Sequence, residues 1–195
     1  MAEINKVIFE STDLELTDTF KEVLDLMEHT KRNLYITGKA GTGKSSLLKH
    51  FCDKTNKNIV VLAPTGVAAL NVQGTTIHSF FQFPFGLIQD ENIDYLHGKS
   101  DIFKNLDAVI IDEVSMVRAD MMHAIDRSLR LNTGNKDKPF GGVQMLLFGD
   151  LYQLPPVVQR GEEMYHLNEM YGGIYFFNGL EYSNSFVEKI ELTHV

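Results

Sequence analysis

The sequence predicts an α/β fold, a mostly parallel sheet flanked by helices. Three observations predict it. Four apolar runs, Leu34–Thr37, Ile59–Leu62, Ala108–Ile111 and Val143–Phe148, are continuous rather than alternating, as in strands covered on both faces. Segments with helical spacing lie between them. A glycine-rich stretch, Gly38-Lys39-Ala40-Gly41-Thr42-Gly43-Lys44-Ser45, joins the first run to the helical segment after it.

The elements follow in order. From Thr17 to His29, Phe20, Val23, Leu24 and Met27 fall at i, i+3, i+4 and i+7 and make one apolar stripe. The first strand and the glycine-rich turn come next. Leu47, Leu48, Phe51 and Cys52 then mark a helix. The second strand closes at Ala63-Pro64-Thr65-Gly66, and the third ends at Asp112-Glu113. A helix with Met122, Ile125 and Leu129 on one face precedes the fourth strand, which ends at Gly149-Asp150. Apolar runs at Ile174–Phe177 and Phe186–Leu192 predict further strands, and the alternation Phe81, Phe83, Phe85 suits a half-buried strand or hairpin. Two stretches break the rhythm. Phe83–Ser100 reads as a loop-like insertion, and Asn132–Gly142 is polar and glycine-rich.

Composition sets the limits. With 195 residues and 44% hydrophobic residues, the chain has the length for one domain and a core of its own. Its 18 Lys+Arg against 26 Asp+Glu leave a net charge of −8, so a nucleic-acid site would be confined to one face. The single cysteine, Cys52, excludes an intrachain disulfide and reads as an inert buried thiol; the seven histidines show no metal-ligand spacing. The methionines at 116, 121 and 122 read as core filler. No apolar run approaches the roughly 18 residues of a membrane span. Met1–Lys6 carries no apolar signal core, so an intracellular location, such as the bacterial cytoplasm, is expected, with no membrane partner.

The chemistry concentrates in three places. Gly38-x-x-x-x-Gly43-Lys44-Ser45 between a strand and a helix is the context of a phosphate loop. Its glycines let main-chain N–H groups turn toward phosphate oxygens, and the next helix aims its positive end at the same anion. Gly38, Ala40, Gly41, Thr42, Gly43, Lys44, Ser45 and Ser46 are the expected nucleotide-binding residues. Lys44 is expected to reach the β- and γ-phosphates, and Ser45 to ligate magnesium. Asp112 is expected to hold the same ion, directly or through water, and Glu113 to act as general base. Gln153, in Asp150-Leu151-Tyr152-Gln153-Leu154-Pro155-Pro156, is the candidate sensor of the γ-phosphate, against the alternative of a Pro-terminated turn. The loops Ala63–Gly66 and Thr75–Phe81 carry hydroxyls suited to a nucleic-acid backbone, and Phe80 or Phe81 is a candidate for base stacking or for the core.

Together these blocks resemble the petite-integration-frequency (PIF) family of DNA helicases, in the B-type of superfamily one. The resemblance is carried by Ile36–Ser45, Ala63–Ala69, Thr75–Phe80, Ile111–Met116 and Phe148–Val157, with Asp120–Arg130 similar to the family's signature helix. It implies a RecA-like P-loop NTPase domain with ATP and magnesium, and a small wedge subdomain inserted near residues 81–105. It implies that Thr65, Gly66 and His78 contact single-stranded DNA, that Gln153 couples nucleotide state to domain closure, and that travel is 5′ to 3′. Duplex junctions would be the substrate, and DNA repair, recombination and telomere maintenance the setting.

Two departures accompany the resemblance. The glutamine with which the family reads adenine has no counterpart in Leu16–Phe20. Leu192-Thr193-His194-Val195 resembles the run ahead of the family's next block, so residues 1–195 are expected to be the first motor domain of a monomeric helicase, without the second RecA-like domain and its arginine finger. An arginine finger is worth roughly 10³–10⁵ in rate. Nucleotide binding with poor hydrolysis is therefore expected of the chain alone. A nucleotide-gated binding module and, less well supported, a P-loop small-molecule kinase with Asn132–Lys138 as lid remain the alternatives.

Overall fold

The computed structural model describes residues 17–193, so the readings of Met1–Leu16 and of His194–Val195 lie outside it. Six strands form one sheet: β1 (Asn33–Thr37), β2 (Ile59–Ala63), β3 (Thr75–Thr76), β4 (Ala108–Ile111), β5 (Gln144–Phe148) and β6 (Val187–Glu191). They lie in the order β3-β2-β4-β5-β1-β6, and every pairing is parallel. All six carboxyl ends therefore share one edge. That edge is where open α/β sheets place their ligands.

The strand register sorts the core into two layers. Leu34, Ile36, Ala108, Ile110, Leu146 and Phe148 face α1 (Asp18–His29) and α2 (Lys44–Lys54), which bury Phe20, Val23, Met27, Leu47, Leu48 and Phe51 against them. Tyr35, Val109, Ile111, Met145 and Leu147 face the other way, toward α6 (Ala119–Thr133) with Met122, Ile125 and Leu129. Continuous apolar runs were needed because each central strand buries both its faces. Thr17 caps α1 by accepting from Phe20 N–H at 3.3 Å, a contact worth about 1 kcal/mol. Two short helices rise from adjacent strands on the same plan. Thr65 caps α3 (Gly66–Asn71) and Thr76 caps α4 (Ile77–Phe81), each hydroxyl accepting from an N–H three residues on at 3.2 Å.

The strand expected in Phe186–Leu192 forms over Val187–Glu191, at the edge of the sheet; Ile174–Phe177 does not form one. Asn178 Oδ1 accepts from Tyr175 N–H and closes a 3₁₀ turn over Phe176–Asn178, leaving one bridge between Arg118 and Tyr175. Its apolar residues serve as anchors instead, with Phe176 packed edge-on against Tyr35 and Tyr182. The alternating phenylalanines are not a strand either. Gln82 takes a left-handed conformation (φ 59°), and the chain turns out of α4 so that Phe83 stacks back on Phe81 at 5.2 Å. The segment near 81–105 holds 3₁₀ turns at Asp90–Asn92 and His97–Lys99 and then α5 (Ser100–Asn105). Its Phe83, Ile88, Leu96 and Phe103 enter the α6 layer of the core. The remaining helices, α7 (Glu162–Tyr171) and α8 (Leu180–Asn184), follow β5 and lead into β6.

Candidate functional site

The phosphate loop leaves β1 at Thr37 and enters α2 at Lys44. Gly43, the residue before the helix, sits at φ 84°, a left-handed conformation that glycine adopts without penalty. Gly38 is required for a different reason. A Cβ there would lie 2.6 Å from the Leu192 carbonyl oxygen and 2.5 Å from Thr42 Oγ1. Thr42, buried, donates to the Lys39 carbonyl at 2.9 Å and fixes the loop's width. The Lys44 ammonium folds back on its own loop, donating to the carbonyls of Gly38 and of Lys39, the latter at 3.0 Å. Ala40, Gly41 and Ser45 are exposed at the mouth, and Ser46 is half-buried.

Asp112 follows β4 directly, and its N–H donates to the Leu62 carbonyl at 2.9 Å. Burial first, then the neighbouring Glu113 charge, push the Asp112 carboxyl up to about 6, while Lys44 pulls it down. Asp112 and the Ser45 hydroxyl are oxygen donors of the kind magnesium takes, and these two residues would hold such an ion. Glu113 is held at φ 51°, ψ 42°, a left-handed conformation that costs a non-glycine residue roughly 1–2 kcal/mol. The hydroxyl of Ser115, two residues on, is buried without a hydrogen-bond partner.

After β5, Gly149 N–H donates to the Ile36 carbonyl at 3.2 Å, tying this loop to the strand that bears the phosphate loop. Asp150 is buried and accepts from Tyr152 N–H at 3.0 Å and from the Gln153 side-chain amide at 3.2 Å. Thr65 and His78 are placed together by register. Ala63 pairs with Thr76, and each of the two residues lies two positions beyond that pair. Gly66 opens α3 with nothing within 4 Å of a Cβ position.

Phe80 is a correction. Its ring is 6% exposed, tilted against Phe103 and edge-on to Phe81, with the Lys99 ammonium 4.7 Å above it. A ring so covered belongs to the core and is not presented to a base. Phe81 is likewise buried. A groove of about 440 Å³ between β2, Gln73–Thr75 and α5 includes Phe80 and none of the other candidate residues. The stretch 132–138, the only candidate for a kinase lid, precedes β5 and lies at the opposite edge of the sheet.

An ion-pair cluster that the sequence did not announce lies beside the DNA candidates. Arg118 donates through Nε to Asp120 at 2.9 Å, through NH1 to Glu163 at 2.7 Å, and through NH2 to Asp120 and the Gly86 carbonyl. Asp120 in turn accepts from Ile88 N–H at 2.9 Å. Cys52 is buried and its thiol is pushed up to about 12, chiefly by burial, as an inert core residue would be.

The PIF1-like helicase family profile matches residues 14–175. ATP-dependent DNA helicase PIF1 of Danio rerio is 40% identical over 139 residues, which cover 68% of this chain and 21% of that protein. ATP-dependent DNA helicase RRM3 of Saccharomyces cerevisiae is 34% identical over 164 residues, 78% of this chain and 22% of that one. Among solved structures, Pif1 helicase from Bacteroides in complex with ADP-AlF3 and single-stranded DNA superposes with a TM-score of 0.87 at 41% identity, over 94% of this chain and 43% of that one. The chain thus spans from about a fifth to about two fifths of the length of these relatives. With its parallel sheet, its phosphate loop and its acidic pair at one edge, it belongs to the PIF1-like helicase family.

Proposed function

We propose that this chain is the ATP-binding motor domain of a DNA helicase that couples ATP hydrolysis to 5′–3′ movement on single-stranded DNA and opening of duplex junctions. The observation that carries the reading is the shared edge: the phosphate loop after β1, Asp112-Glu113 after β4, and Gln153 after β5 all emerge at the same carboxyl end of the sheet. Its relatives include proteins named as ATP-dependent DNA helicases and a structure holding ADP-AlF3 and single-stranded DNA.

In this reading the main-chain amides from Gly38 to Ser46 surround the β- and γ-phosphates. Lys44 exchanges its two loop carbonyls for phosphate oxygens, a charge-assisted contact that replaces a neutral one. Ser45 and Asp112 would hold magnesium, which would supply charge neutralisation at the phosphates. Glu113, oriented by its left-handed backbone, takes a proton from the attacking water. Gln153, tethered to Asp150, reports the γ-phosphate toward a second motor domain, which would supply the arginine finger. On this basis the 195 residues alone bind nucleotide and hydrolyse it poorly. Thr65, Gly66 and His78 hold the single strand at the ends of β2 and β3.

The test is Glu113→Gln in the full-length protein. DNA-stimulated hydrolysis should fall by about 10²–10⁴ while nucleotide affinity stays within a factor of a few. A variant that turns over at the wild-type rate moves the base elsewhere, and a full-length wild-type protein that hydrolyses ATP but opens no forked duplex ends the helicase reading.

A further inference from the structure

A singly exposed aromatic ring is ordinary by itself. Phe85, 92% exposed, differs in how it is held. The chain is fixed before it, where Phe83 is buried and stacked on Phe81. It is fixed after it twice, by Arg118 on the Gly86 carbonyl and by Asp120 on Ile88 N–H. Asp120 is fully buried and Arg118 nearly so, and Glu163 on α7 holds the guanidinium from the far side. The loop is therefore ordered while the ring it carries stands in solvent.

One side of that ring faces His78. His78 stacks beneath it with centroids 5.3 Å apart and an interplanar angle of 28°. Burial first, and then the nearby Arg118 charge, push the His78 imidazole below its ordinary range, with Asp120 pulling the other way. The outer face of Phe85 is open. His78 itself belongs to α4, which rises from β3 beside the β2 strand end that carries Thr65 and Gly66.

We infer that Phe85 is a base-stacking residue: backed by His78, and held out by the Arg118–Asp120 clamp, it offers a platform for one unpaired nucleobase. The inference rests on the single-stranded DNA reading above and names a residue for it. A phenyl face carries no donor or acceptor, so the contact detects the presence of a base and not its identity. Because Arg118 and Asp120 order the loop in advance, binding a base does not have to order it. Arg118 is then a positioning residue, acting through the loop.

The test compares two dye-labelled single strands with the full-length protein, an oligothymidylate and the same backbone with a run of abasic sites. Wild type should bind the intact strand more tightly. Phe85→Ala should lose about 5- to 150-fold on the intact strand, with little change on the abasic one. Phe85→Trp should restore the preference for bases. Arg118→Lys keeps the charge but loses the planar fork that spans Asp120, Glu163 and Gly86, and should lower the same preference. Phe85→Ala binding the intact strand as wild type does overturns this inference alone, and so does Phe85→Trp binding as weakly as Phe85→Ala. Wild type binding neither strand overturns it together with the DNA reading.

Discussion

Two lysines at opposite edges of the sheet show how the molecule divides its labour. Lys57 sits at the amino edge. Its ammonium donates to the Met27 carbonyl at 2.6 Å, the Thr30 carbonyl at 2.7 Å and Gln144 Oε1 at 2.7 Å. The first two carbonyls belong to the end of α1, where helix carbonyls lack partners of their own, so the charge also sits well against the helix dipole. Gln144 passes the contact on to the Arg32 carbonyl at 2.8 Å. Lys44 sits at the carboxyl edge and also donates to two carbonyls, but both belong to its own loop. One cation joins separate elements; the other waits on its own loop. Around Lys57 polar groups find protein partners. Around Lys44, Asp112 carries a raised carboxyl, Glu113 a strained backbone and Ser115 an orphaned hydroxyl. Unmet demand marks the edge that handles ligands.

The sharpest way to break this comparison is Lys44→Ala. Nucleotide affinity should fall by a factor of about 100 or more, as loss of a charge-assisted contact to phosphate requires. The melting temperature without nucleotide should barely move, because both carbonyls it releases belong to its own loop and no separate element loses a tie. Titration calorimetry with a non-hydrolysable ATP analogue, and a thermal melt, check both halves. Lys57→Met should do the reverse. It leaves the Met27, Thr30 and Gln144 acceptors without their donor, and unfolding by denaturant should show a loss of about 2–4 kcal/mol with nucleotide affinity intact.

Asp112→Asn sharpens the comparison through pH. A carboxyl whose pKa is raised in the folded state, from 3.8 to about 6, binds its proton more tightly folded than unfolded. That opposes folding wherever the group is ionised: the cost is absent below about pH 4, grows between pH 4 and 6, and is complete above. The asparagine variant should therefore be more stable than wild type by about 1–3 kcal/mol at pH 8 and equal to it at pH 3.5. Its magnesium-dependent nucleotide binding should be lost at both. The smallest expected effect is that of Glu113→Gly. Glycine relieves the left-handed backbone, and a stability gain of about 1 kcal/mol should accompany the loss of hydrolysis. A glycine variant less stable than wild type would show that the Glu113 side chain holds the turn together.

The nucleotide half of the site was legible in the sequence because it is local. Gly38–Ser45 and Asp112-Glu113 are contiguous, and each follows an apolar run that fixes its place at a strand end. The parallel sheet was legible for the same reason, each strand declaring its two covered faces. What was hidden depends on residues far apart in the chain. Arg118 and Glu163 are separated by 45 positions, and neither falls on a periodic stripe. Phe80 and Phe85 look alike in sequence. The left-handed turn at Gln82 sends one into the core and leaves the other outside. Ile174–Phe177 had the composition of a strand, but Asn178 captures Tyr175 N–H first.

One contact ties the phosphate loop to the sheet margin. Leu192, just past β6, donates its N–H to the Thr37 carbonyl at 2.8 Å, and its own carbonyl lies against Gly38 so closely that a methyl group would not fit. The margin is thereby a handle on the cradle. A side chain at Gly38 would have to displace Leu192 at the margin and Thr42 in the loop together, so the fit of the cradle and the seating of β6 depend on each other.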